Sequence, residues 1–219
     1  MDLDWQFVRH ALPLFGHGLA LTLEISFFGI LGASFLGFLV ALCLFFKPKF
    51  LASLAKGYTE LARNTPLLIQ LFFLYYGLHE VGLTLNALAC AVLGVIFLGG
   101  AYMAESFLLG LKALNKVQFE SSLSLGLSRW QSLRFVLLPQ SLAISLPSLG
   151  ANVIFLLKET SVVSAIALAD LMFVAKDLIG IYYKTNEALL LLVLSYLVVL
   201  LPLSGLFVLL ERYYKQKAC

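Results

Sequence analysis

Apolar residues run along this chain in five long blocks with short polar stretches between them. From Leu19 to Phe46 the only charged residue is Glu24. A membrane span needs about 20 such residues, so the pattern predicts a helix over 19–46. The later blocks predict helices over 51–78, 85–111, 139–157 and 188–210. Gly29, Gly32 and Gly37 in the first block, and Gly94, Gly99 and Gly100 in the third, predict faces where helices pack closely. Residues 1–18 are short and mixed, which predicts an interfacial lead-in before the membrane domain of 19–210. Residues 162–186 carry Asp170, Lys176, Asp177 and Lys184 and predict short helices at the outer surface. Residues 211–219 form a basic, aromatic tail.

Two stretches depart from this pattern. The second block holds Glu60, Arg63, Asn64, Thr65 and Gln70, and Pro66 removes a backbone hydrogen bond and predicts a kink. Polar groups at membrane depth are costly, so they mark function or a structural pair. The second departure is the loop 112–138. Phe119, Leu123, Leu127, Trp130, Leu133 and Leu137 step at helical spacing and predict one apolar stripe. Glu120, Ser121, Ser124, Ser128, Arg129 and Gln131 lie opposite, so the piece is predicted to lie on the membrane surface. Gly126 within the stripe predicts either a bend between two short helices or backbone pressed against a partner. Pro139 is placed to open the fourth helix. Pro147 with Asn152 predicts that this helix is broken or kinked around a polar centre.

Composition sharpens the class. Hydrophobic residues make up 61% of the chain, against the 45–50% usual for a soluble domain. The chain is therefore an all-α integral membrane protein of one domain with about five spans. Five spans place the termini on opposite sides. With the N-terminus outside, Lys47, Lys49, Lys56, Lys112, Lys116, Arg129, Arg134, Arg212, Lys215 and Lys217 are cytoplasmic, Arg9, Lys158, Lys176 and Lys184 are outside, and Arg63 is within a helix. That orientation obeys the positive-inside rule and puts the amphipathic loop and the C-terminus in the cytoplasm. A net charge of +3 without a basic tract gives no sign of nucleic-acid binding. Cys43, Cys90 and Cys219 have no metal or redox spacing, and no metal ligands or catalytic residues are predicted. Asp2 and Asp4 argue against a cleavable signal peptide. No glycine loop for phosphate is present, so any ATP is bound by another subunit.

Four segments in order carry a family resemblance. Glu120-Ser121-Ser122, Gly126, Val136 and Leu138-Pro139 resemble the EAA motif of ABC importer permeases, with serines for the usual alanines. Arg63-Asn64-Thr65-Pro66-Leu67-Leu68-Ile69-Gln70 resembles the RGTPLLVQ segment of the polar amino-acid permeases, with Asn64 where Gly is usual. Ala101 to Glu105 resembles AYxAE, and Lys158-Glu159-Thr160-Ser161 resembles the start of KETSL. After Glu105 the likeness weakens, since Leu108-Leu109-Gly110 replaces a common Arg-Gly-Gly.

The resemblance implies the permease subunit of a type I ABC importer of the histidine/glutamine family, in a bacterial inner membrane. It implies two permease copies, identical or related, two cytoplasmic ATPase subunits that use ATP and Mg, and an extracytoplasmic amino-acid-binding protein. It makes Gln118, Glu120, Ser121, Ser122, Gly126, Leu127, Arg129 and Trp130 the ATPase-coupling helix. Arg63 is expected to pair with Glu60, Glu105 or both on the inner side, as a closure of the path or as a static ion pair. An amino acid carries a carboxylate and an ammonium, so its path needs polar groups near mid-depth. Counting depth selects Gln70, Tyr102 and Asn152, with Lys158 and Glu159 above them. Gln70 and Asn152 have a second reading as hydrogen-bond glue between helices. The rival class is a channel or secondary transporter, but no internal repeat is visible and five spans cannot be halved. A purely structural subunit fits the glycine faces and leaves the Arg63 cluster unexplained.

Overall fold

Asp4 starts the first helix. In a computed structural model, which describes residues 3–218, its carboxylate accepts from the backbone N–H groups of Gln6 and Phe7 at 3.1 and 3.0 Å. Met1, Asp2 and Cys219 lie outside the described residues, as do the side chains of Lys116 and of residues 215–218, Lys215 and Lys217 among them. Helix α1 then runs unbroken over Trp5–Phe46, 42 residues. At about 1.5 Å per residue this is roughly twice the apolar thickness of a bilayer. Of the expected lead-in of 1–18, residues 5–18 are the first turns of α1. The cause is a second apolar stripe, Phe7, Val8, Ala11 and Phe15, which is buried against Leu171, Ala175, Leu178, Ala188 and Leu191. Lys184 Nζ reaches Asp4 Oδ2 at 2.9 Å, and the Asp4 N–H donates to Glu187 at 3.0 Å, so the start of the chain is tied to its last helix.

After Pro48 the chain forms α2 (Lys49–Arg63), breaks, and resumes as α3 (Leu67–Phe72). A π-helical turn, Phe73–Gly77, leads into the short α4 (Leu78–Glu80). Helix α5 (Ala87–Ala113) is the centre of the bundle, packed lengthwise on α1. A Cβ built on Gly37 would stand 2.8 Å from the carbonyl oxygen of Gly100, so any side chain there would force the two backbones apart. Ile25, Leu71, Val95, Met103 and Leu156 fill the main core.

The amphipathic loop is two short helices, α6 (Lys116–Ser124) and α7 (Arg129–Ser132), followed by a π-helical turn over Leu133–Leu137. The turn merges into α8 (Leu138–Glu159). The ring of Pro139 would crowd the carbonyl of Phe135 in a regular α-helix, and the wider turn just before it relieves that. Of the two expected outcomes at Pro147, a break or a kink, the break is absent, since α8 is continuous through it. It packs closely on α5 there: Gly110 leaves no room for a Cβ against Ser141 and Ser145. A 3₁₀ stretch over Thr160–Ile166 and α9 (Leu171–Tyr182) precede α10 (Thr185–Ala218). Among the described residues, four segments are long and apolar enough to cross a membrane: Trp5–Phe46, Ala87–Ala113, Arg129–Ile166 and Thr185–Tyr214. The predicted second span is instead the broken run α2–α4.

Asp170 sits where α1, α9 and α10 meet and is fully buried. One carboxylate oxygen caps α9 by accepting from Phe173 N–H at 2.9 Å, while Oδ2 has no hydrogen-bond partner among the described residues. Burial pushes this carboxyl up to about 6. The folded state then binds the proton more tightly than the unfolded chain. Ionisation costs nothing below the unfolded value of 3.8 and costs on the order of a few kcal/mol above pH 6. Asp170→Asn keeps a capping oxygen and removes the charge. It should raise Tm in detergent at pH 8, with the gain fading towards pH 4. A Tm difference independent of pH would show that the carboxylate is not destabilised.

Candidate functional site

The break between α2 and α3 is the polar centre of the molecule. Pro66 takes an extended conformation, φ −60° and ψ 142°, and cannot continue α2. The carbonyls freed at the end of α2 are met by side chains. Asn64 Nδ2 donates to Glu60 O at 2.7 Å and Thr65 Oγ1 to Leu61 O at 2.8 Å. Gln70 Nε2 donates to Ala62 O at 3.1 Å, Thr65 O at 3.0 Å and Thr65 Oγ1 at 2.9 Å. Gln70 therefore splints the break from below, and it does not line the opening beside it.

That opening is a cavity of about 210 Å³ lined by Arg63, Asn64, Thr65, Pro66, Leu67, Leu98, Tyr102, Phe155 and Glu159. Arg63 forms an ion pair with Glu105, joining α2 to α5. The geometry follows from helix direction, since side chains lean towards the helix N-terminus. On antiparallel α2 and α5 the two side chains therefore lean towards each other. The guanidinium carbon lies 5.5 Å from the centroid of the Tyr102 ring, within cation–π range. The Tyr102 ring in turn lies 5.1 Å from that of Phe155. The result is a small chamber with a cation on one side, the Glu159 carboxylate on another and aromatic rings between. Its size is below the roughly 300–1,000 Å³ of drug-sized pockets.

Of the residues selected from sequence, Tyr102, Glu159 and Arg63 come together here. Lys158 is exposed and outside the lining. Asn152 Nδ2 donates to Tyr102 O at 3.1 Å and Ser106 Oγ at 2.8 Å, and Ser106 lies 2.6 Å from Ser148 Oγ. Asn152 thus ties α8 to α5 behind the chamber. Glu60 holds no ion pair with Arg63; its carboxylate accepts at 3.4 Å from Asn64. Asn64, Thr65, Pro66, Leu67, Leu98 and Phe155 complete the lining and are not among the path residues that depth counting selects. Phe155 is four residues before Glu159, one helical turn on the same face, so Glu159 itself pointed to it. A larger cavity of about 580 Å³ between α1, α8 and α10 is lined by residues such as Leu23, Phe27, Leu157 and Leu203. It opens sideways and is almost wholly aliphatic, so it offers nothing to a charged solute.

The second candidate surface is α6 and α7. Gly126 has φ +83°, and a Cβ there would touch nothing within 4 Å, so the glycine serves a bend and not close packing within this chain. The bend divides the predicted single stripe. Phe119, Leu133 and Leu137 pack inward with Leu111 and Leu114, whereas Leu125 and Trp130 are 82% and 70% exposed. Ser128 and Gln131 form a reciprocal capping box that starts α7. Gln118, Glu120, Ser121 and Arg129 are exposed, Leu127 is half-buried, and Ser122 is buried with its hydroxyl on Phe119 O at 2.7 Å.

Residues 33–216 match the model of the family described as binding-protein-dependent transport system inner membrane component. The chain belongs to that family. It is the permease subunit of an ABC importer and a multi-pass inner membrane protein. The permease is 32% identical to the glutamine transport system permease protein GlnP of Escherichia coli strain K12 over 217 residues, 98% of this chain and 99% of that one. It is 33% identical to the probable amino-acid ABC transporter permease protein PatM of Vibrio harveyi, covering 90% and 89% of the two chains. Among solved structures, it superposes on a chain of an amino acid ABC transporter crystallised with histidines at a TM-score of 0.88 and 33% identity, covering 97% of this chain. A chain of the MetNI methionine transporter gives a TM-score of 0.76 at 19% identity, a likeness of fold.

Proposed function

We propose that this permease conducts polar amino acids inward through the chamber at Pro66, with two permease copies, a pair of cytoplasmic ATPase subunits and an extracytoplasmic binding protein. The carrying observation is the chamber itself: Glu159 offers a carboxylate to an ammonium, and the Arg63 guanidinium, with N–H groups beyond those that meet Glu105, offers donors to a carboxylate. Relatives named for glutamine and for amino acids favour the same cargo class. The N-terminus is outside and the C-terminus cytoplasmic, on the distribution of Lys and Arg. The exposed Leu125 and Trp130 on α6–α7 then face the ATPase and dock as a short helix in a groove. The permease binds no cofactor; ATP and Mg act in the ATPase, whose binding of ATP shifts the populations of inward- and outward-open states. The experiment is uptake by proteoliposomes that hold the permease with its ATPase, with the binding protein outside. ATP-dependent accumulation of a labelled polar amino acid is expected. Downhill leakage without ATP would instead favour a channel.

A further inference from the structure

We infer that Lys56 and Glu60 line the cytoplasmic half of the path and pass the amino-acid zwitterion from the chamber to the cell interior. The inference rests on the proposed function above.

Helix α2 has three sides. Ala55 and Ala62 are buried, and Tyr58 on the same side donates its hydroxyl to Phe97 O at 2.7 Å. Phe50, Leu54 and Leu61 form a second side, exposed and apolar. Lys49, Lys56, Glu60 and Arg63 form the third, stepping by seven, four and three residues, and all four are exposed. Acyl chains suit the second side and not the third.

Depth makes the difference consequential. Ala55 clusters with Val40 of α1 and Ala104 of α5. Ala104 stands nine residues before Ala113, the end of α5, or about 13 Å along the axis at 1.5 Å per residue. Lys56 and Glu60 therefore lie within the inner leaflet's depth, where exposed charge must face water or protein. The ribbon is continuous with the chamber, because Arg63 is both its last member and part of the chamber lining. Lys56 and Glu60 are four residues apart, with Cβ atoms about 5–6 Å from each other. Neither forms an ion pair among the described residues. A zwitterion leaving the chamber meets an ammonium for its carboxylate and a carboxylate for its ammonium on one helix face.

The test uses the assembled transporter in proteoliposomes, carrying Lys56→Cys, Glu60→Cys or Leu54→Cys. A cationic, membrane-impermeant methanethiosulfonate is applied from the cytoplasmic side, with the unsubstituted protein as the background for its own cysteines. Lys56→Cys and Glu60→Cys should react at least tenfold faster than Leu54→Cys, and the adduct should cut ATP-driven uptake at least fivefold. Rates as slow as that of Leu54→Cys would overturn the inference. So would oxidative cross-linking of Glu60→Cys to its copy in the second permease, which would place the ribbon between the copies. Uptake by the unsubstituted complex separates the two readings. If it transports and both positions stay unreactive, only this inference fails; if it never transports, the proposed function fails.

Discussion

Replacing Arg63 by alanine should cut uptake at least tenfold, and adding Glu105→Ala should restore part of the loss. Arg63 is held by Glu105 and lies over the Tyr102 ring at the side of the chamber. Removing it leaves Glu105 without a counter-charge beside an aromatic wall. Exposed pairs are worth about 0–1 kcal/mol, and stranding one charge of a buried pair costs about 3–5 kcal/mol. The side chains here are 40% and 48% exposed, so the coupling should fall towards the lower figure. Tenfold corresponds to about 1.4 kcal/mol, so the part restored by Glu105→Ala should be about fivefold or less, and the rest of the loss comes from removing the cation that lines the chamber. The carboxylate partner is specific: Arg63→Ala with Glu60→Ala should show no recovery, since among the described residues the Glu60 carboxylate accepts from Asn64 and not from Arg63. A double-mutant cycle with no coupling to Glu105 would discard the pair as a working element.

Gly126→Leu should abolish ATPase coupling while the permease still inserts, and Gly126→Asn should be much milder. The reason is local. At φ +83° an L-residue with a bulky side chain pays about 1–2 kcal/mol, and Asn tolerates the left-handed region better. A shift in this bend re-aims Trp130 and Leu125, the two most exposed apolar side chains of the surface, relative to each other. The measurement is uptake-linked ATP hydrolysis by the purified complex. Full coupling in Gly126→Leu would mean that the bend is not what the ATPase reads, and equal loss in Gly126→Asn would point to close approach by the partner's backbone.

The sequence made some of this legible and not the rest. The apolar runs of α1, α5, α8 and α10 are long enough to be read directly, and Pro66 among polar residues announced the break. Counting residues from the loop that joins their two helices puts Arg63 and Glu105 within roughly two turns of each other in depth. The helical continuation over residues 5–18 is not legible because His10, Pro13, Gly16 and His17 interrupt the stripe of Phe7, Val8, Ala11 and Phe15, whose partners lie more than 150 positions away. No periodicity announces the two π-helical turns. Gln70 and Asn152 show a further limit. An amide at mid-depth has the same spacing whether it faces a cavity or a backbone carbonyl. The direction is set here by the orphan carbonyls at Ala62 and Thr65 for one and by Tyr102 O for the other.

The most direct test is equilibrium binding of labelled L-glutamine, L-histidine and L-arginine to the purified permease–ATPase complex, with no binding protein present. Saturable binding of at least one is predicted. Glu159→Gln should weaken it about tenfold or more, because a hydrogen bond to a charged group is worth about 1.5–3 kcal/mol. Lys158→Gln should leave it unchanged, since Lys158 lies outside the chamber lining. No saturable binding of any of the three, or binding indifferent to Glu159→Gln, would contradict the claim that the chamber at Pro66 holds the cargo.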